Sequence, residues 1–234
     1  MTELRKMAGD AGILLDDTMV RAFEQYREIL LDWNSRMNLT AITDPREILI
    51  KHFLDSLLIL RWHEIPQNAT VIDVGTGAGF PGIPLKIARP DLQLTLLDSL
   101  NKRVNFLKEV SRQLGQDNLC IHGRAEELAH EKEHREQYHV ATARAVASLP
   151  ALSEYCLPFV KTGGMFLAMK GPDSQEELEQ SRHAIQMMGG TVEDATVYTL
   201  PDNSGRTLYA IKKASQTSAK FPRKKVKITK TPLL

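Results

Sequence analysis

Val71-Ile72-Asp73-Val74-Gly75-Thr76-Gly77-Ala78-Gly79-Phe80-Pro81-Gly82 decides the fold. A short β-branched run ends in an acid, three glycines follow at alternate positions, and an amphipathic segment begins. That order reads as strand, tight turn, helix, the ligand-binding corner of an α/β nucleotide fold. Glycines let the backbone take positive φ and let a ligand approach closely. A helix start behind them offers unpaired N–H groups and a partial positive charge. Gly77-Ala78-Gly79-Phe80-Pro81-Gly82 also satisfies the dinucleotide pattern G-x-G-x-x-G, with Asp98 near the place of a ribose acid. Register weighs against that reading, because the apolar run ends at Val74 and makes Gly75 the first turn residue. Asp73 has no task in holding a pyrophosphate, but it has one in holding a ligand with a cationic amino group.

The 234 residues, 42% of them apolar, suit one domain with a small extension and a sizeable core. No apolar run reaches the length of a membrane span, and MTELRKMAGD lacks a signal-peptide core. Cys120 and Cys156 are the only cysteines, too few for a disulfide framework or a metal cluster. The expectation is a soluble, cytoplasmic protein. Charge is uneven. Residues 203–234 hold nine Lys or Arg and no Asp or Glu, so the body before them is net acidic. An acidic body with a basic tail suggests a polyanionic partner, or else a tail that is merely solvated.

Val20, Phe23, Tyr26, Leu30, Trp33 and Met37 recur at helical spacing and predict a helix over 17–37. Asp44-Pro45-Arg46-Glu47 predicts a capping box opening a second helix that runs to about Leu60. Strands and helices alternate after residue 69. Strands are expected at 70–74, 92–97, 118–122, 138–143 and 164–170, and helices at 79–88, 102–114, 149–160 and 174–188. An acidic, poorly periodic stretch covers 126–136. Alternating strands at 191–200 and 207–212 close the pattern as a hairpin. The organisation is thus a helical extension (1–65), a Rossmann-like α/β domain (66–213) and a basic tail (214–234), forming one compact unit.

Asp73 followed by Gly75, Gly77 and Gly79 resembles motif I of the S-adenosylmethionine-dependent methyltransferases. Open α/β sheets bind ligands at the carboxyl ends of their strands. Asp98 ends the second strand, where a carboxylate can accept from two ribose hydroxyls or cap the next helix. After the third strand, an amide near Ala125 can meet an adenine ring nitrogen, and Glu126 can accept from the exocyclic amine. Arg144 and Lys170 end the fourth and fifth strands and should point into the crevice, toward a cofactor carboxylate, a phosphate or the acceptor base. A structural ion pair is the other reading of Arg144. The (Asp/Asn)-Pro-Pro-aromatic loop of amine methyltransferases is replaced by Ala-Arg-Ala-Val, and neither cysteine stands at a strand end as a nucleophile should. An acceptor that is already nucleophilic remains, and guanine N7 fits.

Six segments together carry a closer resemblance: NLTAI from Asn38, HFLDSL from His52, DVGTGAGFPGIPL from Asp73, LLDSLNKRVNFL from Leu96, RAEE from Arg124 and ARAVASL from Ala143. In that order they resemble the bacterial 16S ribosomal RNA guanine-N7 methyltransferase family, formerly glucose-inhibited division protein B. The resemblance covers most of 15–213. It implies a class I methyltransferase fold, S-adenosylmethionine as cofactor, and methylation of one guanine in the decoding-region loop of 16S rRNA; no stable protein partner is implied, and a monomer is the expectation. It places the cofactor on Gly75, Phe80, Asp98, Ala125, Glu126 and Arg144, with Arg144 and Lys170 as candidates to position the base. Phe80 departs from the leucine of some relatives. The competing functions are a nicotinamide-dependent oxidoreductase and a non-catalytic RNA-binding assembly factor of the same fold.

Overall fold

The computed structural model describes residues 1–144, 147–172 and 174–234. Seven strands, β1 (Thr70–Val74), β2 (Gln93–Asp98), β3 (Leu119–His122), β4 (Tyr138–Arg144), β5 (Val160–Lys170), β6 (Gly190–Thr199) and β7 (Gly205–Lys213), form one sheet in the order 3-2-1-4-5-7-6. The first five are parallel, and β7 runs antiparallel to both β5 and β6. Strand order reverses between β1 and β4, and ligands of open α/β sheets bind at such a switch point. β1 is buried from Val71 to Val74, as a central strand covered on both faces must be.

On one face lie α1 (Thr2–Asp10) and α2 (Asp17–Met37). The Asp16 carboxylate caps α2 by accepting from the Met19 amide at 2.8 Å. The helix predicted from Asp44 is present but irregular: short α-turns Pro45–Glu47 and Asp55–Leu57 flank a π-helical segment, Ile48–Leu54. Asp44 caps it, accepting from the Arg46 and Glu47 amides at 2.9 Å. Glu47 does not close the expected box; its carboxylate takes the Lys51 ammonium at 2.5 Å. Leu4, Phe23, Tyr26 and Phe53 are fully buried in the same apolar cluster as Val71, Ile83 and Leu96, so the N-terminal helices share the core of the sheet. Each such side chain stabilises the fold by roughly 1.5–3 kcal/mol.

Helix α3 (Gly82–Ala88) follows β1, and α4 (Asn101–Gln113) follows β2. The other face carries α5 (Leu149–Cys156) and α6 (Gln175–Met187). Expected limits shift in four places. The helix after β1 starts at Gly82, because residues 75–81 are spent on the turn. The 126–136 stretch holds one helical turn, Ala125–Leu128. The helix from Leu149 gives way to a 3-10 turn at Leu157, and β5 starts four residues early, at Val160. The tail docks. Phe221 and Ile228 enter the second apolar cluster, and Lys225–Lys230 form a short helix, α7. Among the described residues no helix is long and apolar enough to cross a membrane.

Candidate functional site

The turn after β1 is built by hydrogen bonds to its neighbours. Gly75, Gly77 and Gly79 take φ of 68°, 62° and 95°, which explains their spacing. The Gly75 and Thr76 amides donate to the Leu97 carbonyl of β2 at 2.8 and 3.1 Å. A Cβ on Gly82 would stand 2.7 Å from the Leu96 side chain and 3.0 Å from the Asp73 carboxylate, so only glycine lets α3 start there. Asp73 itself is fully buried. Its Oδ2 accepts from the Thr76 hydroxyl at 2.6 Å and the Gly82 amide at 2.9 Å. The expectation that Asp73 meets a ligand directly does not match this placement; it organises the turn from behind. Its Oδ1 has no partner, and burial raises its pKa to about 6.

Asp98 stands where the sequence reading placed it. Its Oδ2 accepts from the Gly77 amide and its Oδ1 from the Leu100 amide, both at 2.9 Å, so it ties the turn to the start of α4. Arg103 lies 3.5 Å away. A cavity of about 220 Å³ opens beside it, walled by Gly75, Asp98, Ala125, Glu126 and Tyr155. Ala125 and Glu126 are the first residues of a helical turn, where amides have no intrahelical acceptor. Four expected residues therefore meet in one groove.

A larger cavity, about 450 Å³, adjoins it at Gly75. Phe80 forms part of its wall, with the His52 ring stacked on it at 4.4 Å and the Arg144 guanidinium 4.8 Å over its face. Arg144 donates to the Lys51 carbonyl at 3.0 Å and the His52 Nδ1 at 3.1 Å, and its Nη1 lies 3.4 Å from the Asp55 carboxylate. Asp55, almost wholly buried, also accepts from Arg206 at 3.2 Å and the Tyr198 hydroxyl at 3.0 Å. Arg144 is thus paired structurally, and it also lines the cavity. Lys170 reaches the wall differently. Its ammonium donates to the Ala147 carbonyl at 3.1 Å and to Glu177 at 3.0 Å, which secures the segment after β4 rather than offering a free cation. Ala145 and Val146 of the ARAVASL segment lie outside the described residues.

Sequence reasoning missed the role of Lys51, His52, Asp55, Tyr198 and Arg206. The signal for two of them was legible: His52 and Asp55 interrupt an otherwise apolar helical run, three residues apart. Arg206 shares the positive charge of the C-terminal residues, but it belongs to β7 and pairs with Asp55.

Residues 19–204 match the family described as GidB, rRNA small subunit methyltransferase G. The chain belongs to that family. A ribosomal RNA small subunit methyltransferase G of Alkaliphilus metalliredigens is 53% identical over 226 residues, covering 96% of this chain and 95% of that one. Its counterpart in Acetivibrio thermocellus is 49% identical over 237 residues, covering 99% and 97%. Among solved structures, an O-methyltransferase from Bacillus cereus in complex with SAH superposes with a TM-score of 0.57 at 15% identity, over 90% of this chain and 97% of that one. A SAM-dependent methyltransferase from Aquifex aeolicus gives 0.51 at 20% identity, over 72% and 93%. These likenesses establish the fold, and the G-family membership makes the chain a methyltransferase of small-subunit ribosomal RNA.

In this G-family site His52 is neutral. Burial and then the Arg144 guanidinium push its pKa down to about 3. A guanidinium only donates, so Nδ1 accepts and the proton sits on Nε2, 2.9 Å from Thr40 Oγ1. As pH falls below about 6.5, the unfolded chain takes up this proton before the folded one does, and the stability His52 confers is lost toward pH 3. Asp73, with its folded value raised, works oppositely between about 6 and 4. His52→Gln leaves Asp73 in place, so a comparison isolates the histidine. Urea melts at about pH 7 and about pH 4.5 should show the unsubstituted protein losing some 2–3 kcal/mol more than the variant. Equal losses would mean that His52 titrates normally.

Proposed function

We propose that this chain binds S-adenosylmethionine along the groove from Gly75 to Glu126 and transfers its methyl group to N7 of a guanine in the decoding-region (530) loop of 16S rRNA. One observation favours this acceptor above others. Among the described residues, the cavity at the strand ends is lined by the cations Lys51, Arg103, Arg144, Lys170 and Arg206 and offers no free base. His52 is too weakly basic, and the Asp55 carboxylate is engaged by two guanidinium groups and a phenol. An exocyclic amine would need a proton removed. Guanine N7 presents its lone pair directly.

The residues present fit the cofactor. Gly77 lines the cavity and has open space at the position of a Cβ, so a ligand can lie against the turn. When bound, S-adenosylmethionine supplies a sulfonium methyl group that is already activated. Asp98 accepts from the ribose hydroxyls, the Ala125 amide faces an adenine ring nitrogen, and Glu126 accepts from the exocyclic amine. Gly75 and Gly77 keep the approach open, Gly79 leaves room for Tyr26 and Ile83 behind the turn, and Phe80 and Arg144 hold the cavity wall at the methyl end. Lys51 and Arg206 meet RNA phosphate or guanine O6. The target base leaves its stack to enter. Orientation by these groups can supply on the order of 7–11 kcal/mol of the barrier in favourable cases. We place this chemistry in the cytoplasm, with the small ribosomal subunit as partner and the chain acting as a monomer.

Calorimetry with S-adenosylhomocysteine and with NADH tests the cofactor class. Binding of the first and not the second is expected; the reverse would support the oxidoreductase reading. Transfer of labelled methyl groups to small subunits lacking the modification separates an enzyme from an assembly factor, which would bind and transfer none.

A further inference from the structure

The tail is anchored by buried charge. The Arg223 amide and guanidinium both donate to the Glu154 carboxylate of α5, at 2.7 to 3.1 Å, and Glu154 is 1% exposed. The Arg135 guanidinium donates to three tail carbonyls, those of Thr217, Ser218 and Phe221, at 2.7, 3.2 and 2.9 Å. His130 reaches the Pro222 carbonyl at 2.9 Å. Lys213, fully buried, donates to the Thr217 hydroxyl at 2.5 Å and the Leu157 carbonyl at 2.7 Å. A segment held merely by chance would not satisfy so many donors together with the buried Glu154 carboxylate.

These anchors set α7 over the smaller cavity. Lys225 and Thr229 line it together with Asp98, Glu126 and Tyr155, while Ile228 between them is fully buried. Tyr155 follows Glu154 on α5, so the residue that secures the tail adjoins one that walls the groove.

We infer that α7 is a wall of the adenosine subsite, with Lys225 and Thr229 as cofactor-facing residues that lie outside the segment matched by the family. This inference rests on the cofactor reading above. The basic tail is therefore part of the binding site for the small ligand, whatever its exposed lysines do toward RNA.

The test uses S-adenosylhomocysteine as probe in two measurements. In the full chain, hydrogen exchange should slow on ligand addition at amides 225–231 together with those of the turn at 75–79. A chain ending at Lys224 keeps the Arg223–Glu154 anchor and lacks α7. It should bind the probe about tenfold more weakly, as expected for re-exposing roughly 50 Å² of apolar adenosine surface. Protection at 75–79 without any at 225–231 would overturn the inference and leave the cofactor reading standing, as would unchanged affinity in the shortened chain. If that chain fails to fold, the exchange data on the full chain decide. Failure of the full chain to bind the probe would overturn the cofactor reading, and this inference with it.

Discussion

Arg144→Ala is expected to reduce methyl transfer by about a hundredfold or more and to cost the fold about 3–5 kcal/mol. The guanidinium ties the end of β4 to the π-helical segment and to the start of the helical turn after it. It holds the π-helical segment through the Lys51 carbonyl and His52, and with Arg206 it neutralises Asp55. Its removal leaves a carboxylate that is 1% exposed with one guanidinium in place of two. Removing one partner of a buried pair is costly because the other charge stays buried. The cavity wall also loses the cation stacked on Phe80, and misplacement of reacting atoms by about 1 Å is enough for a hundredfold loss. Melting temperature, S-adenosylhomocysteine affinity and single-turnover rate should be read on the same preparation. Normal turnover per folded molecule, with only the melting temperature lowered, would reduce Arg144 to a structural ion pair.

Asp98→Ala is expected to weaken S-adenosylhomocysteine binding by between about tenfold and a hundredfold, the effect of losing charged hydrogen bonds worth roughly 1.5–3 kcal/mol. Two losses combine. The ribose loses its acceptor, and the Gly77 and Leu100 amides lose the group that ties the turn to α4. Asp98→Asn separates them, because its amide oxygen retains an acceptor for one of the amides while the charge is gone. Affinity unchanged in both variants would remove Asp98 from the cofactor site.

Much of this architecture was legible in the chain. The Gly75–Gly79 spacing needs positive φ at three alternate positions, a local demand that no distant contact can replace. Asp98 and Glu126 follow from strand ends, which alternating periodicity locates within a few residues. Residues whose work depends on non-local pairing were not legible. Tyr26 lies on an ordinary helical apolar stripe, yet its hydroxyl donates to the Ala78 carbonyl and so supports the turn from the N-terminal helix. Tyr198 and Arg206 stand in a hairpin about 150 residues after Asp55, and only the sheet order brings them together. Asp73 shows the converse. Its sequence context matches a ligand contact, but burial behind Gly82 makes it a support for the turn. The tail misled for a related reason: a count of lysines cannot tell Arg223, paired with a buried glutamate, from an exposed Lys224.

The most direct test is to incubate the protein with S-adenosylmethionine carrying a labelled methyl group and small ribosomal subunits from a strain lacking the modification, then digest the RNA and locate the label. A single labelled nucleoside, 7-methylguanosine, within the decoding-region loop is expected, with about a hundredfold less label when Arg144→Ala replaces the unsubstituted protein. Label on another base, on an exocyclic amine, or outside that loop would contradict it.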